Sequence, residues 1–315
     1  MKLIAKFVVL GVLFSLGLIG GEGGFSSAAR AAGTQGAHLK KIVAVSRFEN
    51  RSSYAQGGQW FLTDGLADQL TDALMQSGAF IVMERQTLGD VMGEQDLAAS
   101  GRVKKAQSAR TGKITAAQIL VKGAVTEFDM SAGKGGSGIR IGGFKLGSRK
   151  QTAHVGLIIR LIDSTTIEVL ASQRVEGLAK AGGSAVGLNF RGVGFETDDF
   201  KRTPLGKATQ IAIDKAVEFI AKEARKVPFQ ARVIKVTPNT VIISAGERNS
   251  ITPGTTFTVM SVGEELSDPF TGELLGYEQN AIGQVKVSKV AEKYSFAKPV
   301  GTVKGIKIGD FVKLQ

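Results

Sequence analysis

The amino-acid sequence predicts an α+β fold, in which an α/β domain carries two glycine-rich β-hairpins and precedes a small all-β barrel. Three observations support this prediction. Strand-like and helix-like runs alternate up to about residue 130, two glycine-rich segments interrupt the strands that follow, and the runs after Pro228 are strand-like. The predicted boundaries are residues 38–226 for the α/β domain, about 129–158 and 174–198 for its hairpins, and 229–315 for the barrel.

The α/β domain begins with an alternation of strands and helices. "KKIVAVSRF" is an apolar, β-rich run, and the helix-like run after it ends at Gly78, a residue suited to a helix C-terminus. "AFIVMER" predicts a second strand, "QTLGDVMGEQDLAAS" a helix weakened by two glycines, and "AAQILVKGAVTEFDM" a third strand. The apolar face predicted for the first helix consists of Leu62, Leu66, Leu70 and Leu74.

The second half of this domain contains an alternating strand and a long helix. "QTAHVGLIIRLID" alternates apolar with other residues, which predicts a strand with one buried face. "TPLGKATQIAIDKAVEFIAKEARK" predicts a helix with Thr203 as its N-cap and Pro204 in its first turn. The buried stripe predicted for this helix consists of Ala208, Ile211, Ala212, Ala216, Phe219 and Ile220.

The C-terminal part reads as strands separated by turns. "QARVIKVTPNTVIISAG", "TTFTVMSVG", "IGQVKVSKV" and "GDFVKLQ" are strand-like, and Pro238-Asn239 and "DPFTGELLG" suit turns. This pattern predicts a separate small β-barrel.

The N-terminus predicts export from the cytoplasm. Lys2 and Lys6 precede a short apolar run, and Ala29 and Ala31 suit a cleavage site, so we expect a signal peptide over residues 1–31. An anchored N-terminal helix is the alternative. The net charge is +12, and residues 1–31 contribute +2 of it through Lys2, Lys6, Arg30 and Glu22. In an exported protein the remaining positive charge points to anionic lipid, cell wall or acidic polypeptides as partners, and not to nucleic acid.

Composition argues against enzymatic chemistry. The chain has no cysteine, which excludes disulfides, thiol catalysis and lipidation, and Gly21 stands where a lipid-attachment box has its cysteine. With only His38 and His154, a histidine metal cluster is excluded too. The glycine-rich run "KGGSGIRIGGFKLGS" fits neither the phosphate-loop nor the dinucleotide motif. We therefore expect no catalytic residues, no metal and no cofactor.

The glycine-rich segments suit strands that cross an outer membrane. Apolar residues alternate with small or basic ones, and each arm supplies roughly the 9–11 residues that such a strand needs. Four strands from one chain cannot close a barrel, so insertion requires a ring of copies. The predicted membrane-facing residues are Ile139, Ile141, Phe144, Leu146, Val155, Leu157, Val186, Leu188 and Phe190, and the predicted lumen or rim cations are Arg140, Lys145 and Arg191.

Several quoted runs also carry a family resemblance. "IVAVSRFEN", "FIVMERQTL", "AAQILVKGAVTEFD", "IRLIDSTTIEVLASQRVEG" and "GVGFETDD" occur in the order found in the CsgG family of curli secretion channels, over about residues 40–225. The resemblance implies a homo-oligomeric ring of about nine chains in outer-membrane lipid, with a periplasmic α/β vestibule. It further implies export of unfolded polypeptide subunits and periplasmic accessory proteins as partners. The C-terminal barrel has no counterpart in the basic curli channel.

The resemblance also implies a pore constriction between the first strand and the first helix. In this chain the corresponding loop contains Tyr54, Gln56, Gln59 and Trp60. Alternatively, Trp60 packs the helix start into the core. The alternative function is a soluble periplasmic scaffold that binds an envelope enzyme or cell wall, with the glycine-rich hairpins as flexible arms.

Overall fold

A computed structural model describes residues 39–53, 59–104, 114–132, 139–141, 144–146, 151–181, 198–272, 274–301 and 305–314. The described residues belong to one compact unit, residues 36–315. The predicted signal peptide lies outside the described residues.

A six-stranded mixed sheet organises the first part of the unit. The elements are β1 (Lys41–Val45), β2 (Glu49–Asn50), α1 (Gln59–Gln76), β3 (Phe80–Met83), α2 (Leu88–Ala99), β4 (Ile119–Ala132), β5 (Ile139–Ile141), β6 (Phe144–Leu146), β7 (Gln151–Asp163), β8 (Val169–Ala181), α3 (Asp198–Arg202) and α4 (Pro204–Lys226). The strand order in the sheet is β3-β1-β4-β7-β8, with β2 also paired to β4. Strand β1 runs parallel to β3 and β4, and β7 runs antiparallel to β4 and β8. The predicted strand and helix alternation is confirmed, whereas α3 was not predicted.

Helices α1 and α4 supply the apolar side chains that pack on one face of this sheet. The four leucines predicted for α1 are buried, and Gly78 ends the helix with φ +64°. On β7, every second side chain from Ala153 to Leu161 is fully buried in the same core. Val155 and Leu157 are among them, so the prediction that these two residues face the membrane is wrong. Apolar residues alternate along β7 because one face of this strand packs into the core of the layer.

Helix α4 begins and packs largely as its sequence predicts. The Thr203 hydroxyl oxygen accepts a hydrogen bond from the Gly206 amide at 2.9 Å, and Pro204 is the first helical residue. The predicted buried stripe is confirmed except at Ile211, which is 36% exposed. Ile213 is buried in its place, because two residues along a helix turn the side chain by roughly 200°.

Helix α4 lies against β8 at a glycine. A Cβ atom on Gly177 would overlap the Ala208 carbonyl oxygen and approach the Ala212 amide nitrogen. Because only glycine leaves this space, the helix backbone can rest directly on the strand.

The predicted all-β barrel is confirmed. Six strands close in the order β10-β13-β12-β11-β14-β9. The apolar pattern did not predict β13. This strand contains Pro299, and proline is rare inside strands. The strands are β9 (Gln230–Thr237), β10 (Thr240–Ile243), β11 (Thr256–Ser267), β12 (Leu274–Val290), β13 (Ser295–Val300) and β14 (Phe311–Leu314).

The barrel has its own core and is joined to the sheet by hydrogen bonds. Its buried side chains, among them Phe257 and Val285, form a cluster separate from that of the α/β layer. Across the junction, Gln118 Nε2 donates to the Gln230 carbonyl oxygen at 3.0 Å. Asn249 Nδ2 donates to the Lys40 carbonyl oxygen at 3.0 Å, and the Lys40 amide donates back to the Asn249 carbonyl oxygen at 3.0 Å.

Candidate functional site

Both glycine-rich segments leave the sheet at the same end, side by side. In the strand register Ala132 pairs with Gln151, and Gln151 pairs with Ala181. These three residues are the last of β4, the first of β7 and the last of β8. The chain therefore leaves this end at Ala132, returns at Gln151 and leaves again at Ala181, on three adjacent strands.

Within the first glycine-rich segment, the backbone forms a short antiparallel pair. Strands β5 and β6 pair Ile139 with Leu146, Arg140 with Lys145, and Ile141 with Phe144. The two predicted cations of this segment are thus directly opposite each other in the register. Val186, Leu188, Phe190 and Arg191 of the second segment lie outside the described residues.

The chain re-enters the layer through α3 and the start of α4. Phe200 of α3 is 2% exposed and joins the core, and the buried Thr203 hydroxyl donates to the Phe200 carbonyl oxygen at 2.7 Å. Helix α4 then runs back along β8 for about 35 Å, given its 23 residues. The return from the second segment is therefore anchored in the core.

The barrel adjoins the opposite end of β4. Gln118 precedes this strand and contacts Gln230 of the barrel, whereas Ala132 ends it. Fourteen strand residues span about 45 Å, so the sheet separates the glycine-rich segments from the barrel by that length.

A charged network lies on the face of the sheet opposite the helices. Arg174 donates to Glu127 Oε1 and to Glu176 Oε1, both at 2.8 Å. His154 Nε2 lies 3.5 Å from Glu176 Oε2, and Thr126 donates to the second oxygen of Glu127. The four ionisable side chains are between 26% and 47% exposed, so the network is accessible from outside this chain.

The network holds its carboxylate in the ionised form. Burial acts to raise the pKa of Glu127, but hydrogen bonds from Thr126 and Arg174 outweigh it and leave that pKa below its usual range. The same hydrogen bond with Glu127 raises the pKa of Arg174. Glu127 and Arg174 therefore remain charged at neutral pH, and this pair suits a polar contact better than proton transfer.

A second ion-pair group lies beside β4. Glu49 accepts from Lys122 at 2.7 Å and from Arg51 at 2.5 Å. The hydrogen bond from Lys122, followed by that from Arg51, lowers the pKa of Glu49 to about 2. This group links the side chains of β2 and β4, two strands that pair in parallel.

The described residues offer little catalytic chemistry. They contain no group of three or more His, Asp or Glu side chains placed to hold a metal ion. In the described hydrogen bonds, the pair of His154 and Glu176 contacts neither a serine nor a threonine hydroxyl. Helices long and apolar enough to span a bilayer are absent from this part of the chain.

The constriction residues are only partly located. Tyr54 and Gln56 lie outside the described residues. Gln59 and Trp60 are the first two residues of α1, so their placement in a loop is wrong. Within the predicted hairpin ranges, residues 129–132, 151–158 and 174–181 belong to strands β4, β7 and β8 of the sheet.

Sequence reasoning missed the charged network and the glycine contact under α4. The spacing of Arg174 and Glu176, two apart on a strand, carried a usable signal, since such residues share a face. Their partner Glu127 follows an irregularity in the register between Val125 and Glu127, which the sequence does not reveal.

Comparison with known proteins gives a family match. The family model described as "Curli production assembly/transport component CsgG" matches residues 25–237. No curated protein sequence matches the chain at a significant level.

Several solved structures are similar to this chain. The hypothetical protein CT253 from Chlamydia trachomatis is 12% identical, with a TM-score of 0.38, over 58% of this chain and 97% of that one. The PelC dodecamer from Paraburkholderia phytofirmans is 18% identical, with a TM-score of 0.27, over 58% and 92%. Lipoprotein GNA1162 from Neisseria meningitidis is 16% identical, with a TM-score of 0.28, over 58% and 99%.

Proposed function

Because this chain belongs to the family of the curli production assembly/transport component CsgG, we propose that it is the subunit of an outer-membrane secretion channel. The family gives the chain a secretion- or transport-related role at the cell envelope. The finer proposal is a ring of identical copies that exports unfolded polypeptide subunits across the outer membrane. It involves no enzymatic step, metal or cofactor.

One observation carries the proposal furthest: both glycine-rich segments emerge side by side from one end of three paired strands. Strands that enter a membrane from adjacent positions can continue their pairing, which satisfies backbone hydrogen bonds inside lipid. A single chain supplies too few strands to close a barrel, so neighbouring copies must complete it.

The charge of the segments supports a polar lumen. Residues 133–150 contain five Lys or Arg and no Asp or Glu. Charged side chains facing lipid are costly, so Arg140, Lys145 and Arg191 point into the lumen or lie at the membrane surface under this proposal. Repeated around a ring, inward cations would favour anions and acidic polypeptides.

Membrane extraction tests the proposal directly. The native chain should stay with outer membranes after a high-salt wash and be released by detergent. Leu188→Arg should abolish this retention if the position faces mid-bilayer, since a lipid-facing Arg costs about 2–4 kcal/mol there. The matched control is Ile167→Arg, at a side chain that is 78% exposed at the other end of the sheet, and it should behave as native.

Bilayer recordings test the lumen charge. Purified particles in planar bilayers under a salt gradient should show an anion-selective reversal potential, and Arg191→Glu should reduce that selectivity. Cation preference in the native particle would contradict a basic lumen, whereas the absence of any conductance would contradict the channel itself.

The barrel favours a second candidate, a periplasmic scaffold. Residues 238–315 lie outside the family match and surround a separate core. A domain with its own core can bind an envelope protein or cell wall without any pore. Release of the native chain by salt alone, with no effect of Leu188→Arg, would favour this scaffold over the channel.

A further inference from the structure

The hairpin formed by β11 and β12 extends well beyond the barrel. Near its base Phe257 pairs with Val285, and both side chains are fully buried in the barrel core. From Val262 onward nearly every described side chain of the hairpin is exposed, although pairing continues to Ser267 and Leu274. We call residues 262–281 the arm. A two-stranded ribbon exposed on both faces is marginally stable in water, so a partner surface would stabilise it.

The arm combines negative charge with exposed apolar side chains. Phe270 at its tip is 96% exposed, and the Asp268 carboxylate shapes this tip by accepting from the Phe270 and Thr271 amides at 2.8 Å each. The arm contains no Lys, Arg or His, and its described carboxylates form no ion pair with the described residues. Its acids are Glu264, Glu265, Asp268, Glu273 and Glu278, and its other exposed apolar residues are Val262, Leu266, Leu275 and Tyr277.

The rest of the barrel has the opposite charge. Residues 230–261 and 282–315 contain ten Lys or Arg and three Asp or Glu. Lys286 on β12 lies directly opposite Lys298 on β13 in the register, an arrangement that destabilises a sheet unless an anion is near. Lys289 completes what we call the lysine row. None of the three lysines forms an ion pair among the described residues.

Two aromatic rings, one exposed and one half-buried, lie next to the lysine row. Lys289 Nζ is 6.0 Å from the centre of the Phe296 ring, and Tyr294 packs edge-on to Phe296 with 5.5 Å between ring centres. Tyr294 is 40% exposed. The surface therefore offers cations beside apolar rings, which matches the carboxylates and apolar side chains of the arm.

The arm cannot reach the lysine row of its own barrel. Glu278 and Lys286 are both on β12, eight residues apart, which separates them by about 27 Å along one strand. A paired ribbon that continues its own barrel strands does not fold back across that distance. Only the row of another copy is accessible to it.

We infer that the acidic arm of one copy docks on the lysine row of a neighbouring copy, with Phe270 and the other apolar arm residues against Tyr294 and Phe296. This contact would be a specific link between the C-terminal barrels of adjacent subunits, and it rests on the homo-oligomer of the proposed function. It would be sensitive to salt, because exposed charges are screened over about 8 Å at physiological ionic strength.

Cysteine crosslinking tests the contact, since the native chain contains no cysteine. Glu265 pairs with Tyr277 and Lys298 with Lys286, so Glu265 and Lys298 of one chain are separated by about 30 Å along β12. A disulfide needs Cα atoms within about 7 Å, so a bond between E265C and K298C must join two copies. In the full chain, the double variant should give an oxidant-dependent ladder of dimers and higher multimers on a denaturing gel.

The matched controls are the two single variants and the double variant E265C/K222C, whose second cysteine would lie on the exposed face of α4. These three controls should give no ladder.

Charge reversal tests the ion pairs of the contact. Added to E265C/K298C, either E264K/E278K or K286E/K289E should reduce the ladder several-fold, and the two pairs combined should restore it. In 1 M NaCl the ladder should weaken.

Each outcome separates this inference from the proposed function. Ring-sized particles without a ladder would overturn arm docking and leave the channel untouched. A ladder from a chain that conducts no ions would support arm docking and contradict the channel, whereas a monomer would contradict both. Binding to phosphatidylglycerol vesicles that K286E/K298E abolishes, with no ladder, would make the row a lipid surface and overturn the inference.

Discussion

The two halves of the molecule each extend paired strands beyond their core, and the extensions have opposite charge. In the α/β layer, β4 and β7 flank a segment, residues 133–150, with five Lys or Arg and no acid. In the barrel, β11 and β12 lead to an arm with five acids and no base. The core strands are set by the packing inside one chain. The described carboxylates of the arm form no ion pair with the described residues, so they can contact cations of another molecule.

The cores also differ in how they are closed. The α/β core is closed by helices, and α4 lies so near β8 that a glycine is required at the contact. The barrel core is closed by strands that pair around it. Hydrogen bonds at Gln118 and Asn249 join the two. The comparison therefore predicts two separately packed cores coupled through a small polar junction.

Truncation of a core side chain should destabilise the protein most, and it tests whether the two cores unfold separately. Leu157→Ala should lower the free energy of unfolding of the α/β layer by about 2–5 kcal/mol, and Phe257→Ala that of the barrel by about 3–5 kcal/mol, because both side chains are fully buried. Calorimetry should show that each variant shifts a different transition. A single transition that both variants lower equally would mean that the two cores unfold as one.

The glycine contact gives the next largest effect. Gly177→Ala should cost about 1–3 kcal/mol in the free energy of unfolding, because the new methyl group would overlap the backbone of α4. Denaturant titration followed by circular dichroism measures this. The control is Gly93→Ala in α2, where nothing surrounds the added Cβ, and it should stabilise by about 0.5–1 kcal/mol. Equal effects of the two substitutions would refute the close helix packing.

The polar junction at Asn249 should couple the unfolding of the two cores. Asn249 is 8% exposed; its side chain donates to the Lys40 carbonyl oxygen and accepts from the Gly246 amide at 3.2 Å. Asn249→Ala should cost about 1–3 kcal/mol by leaving those groups unpaired. In calorimetry the transitions of the two cores should move further apart, since their coupling is weakened. Unchanged spacing between them would place the coupling elsewhere.

The smallest expected effect is a pH dependence of the stability of the α/β layer. The pKa of Glu49 is about 2 in the folded protein, below its value of about 4.3 in an unfolded chain. Its contribution to stability is therefore present above about pH 4.3 and is lost as pH falls toward 2. Because the side chain is 38% exposed, solvent limits this contribution to under about 1 kcal/mol. Urea unfolding at pH 7 and pH 3 should show a smaller loss of unfolding free energy in Glu49→Gln than in the native chain. An equal loss in both would show that Glu49 does not cause the pH dependence.

Much of the fold was predictable because its signals are local. The spacing of the leucines in α1, the capping by Thr203 and the alternation in β7 depend only on neighbours in the sequence, and the structure confirms each. Strand β13 was not predicted because it contains Pro299, and a proline argues against a strand in the sequence. The other pairings of the barrel allow this proline in the strand.

The candidate site was less predictable because alternation does not say what covers a face. Val155 and Leu157 alternate as a membrane strand would, yet α4 covers them, so that assignment was wrong. The remaining membrane-facing assignments at Ile139, Ile141, Phe144 and Leu146 stay predictions, as do those at Val186, Leu188 and Phe190.

The sequence by itself determined the class and order of the elements, the barrel after Pro228 and the family. Each of these depends on local periodicity, on turn residues or on short sequence motifs. Only the tertiary structure decided which strands are neighbours. Ala132, Gln151 and Ala181 are far apart in the chain, and their register alone brings the two glycine-rich segments to one end of the sheet. It also decided that Ile213 and not Ile211 is buried, and that Gly177 must lack a side chain. Such contacts depend on the packing of elements distant in sequence, which no local pattern encodes.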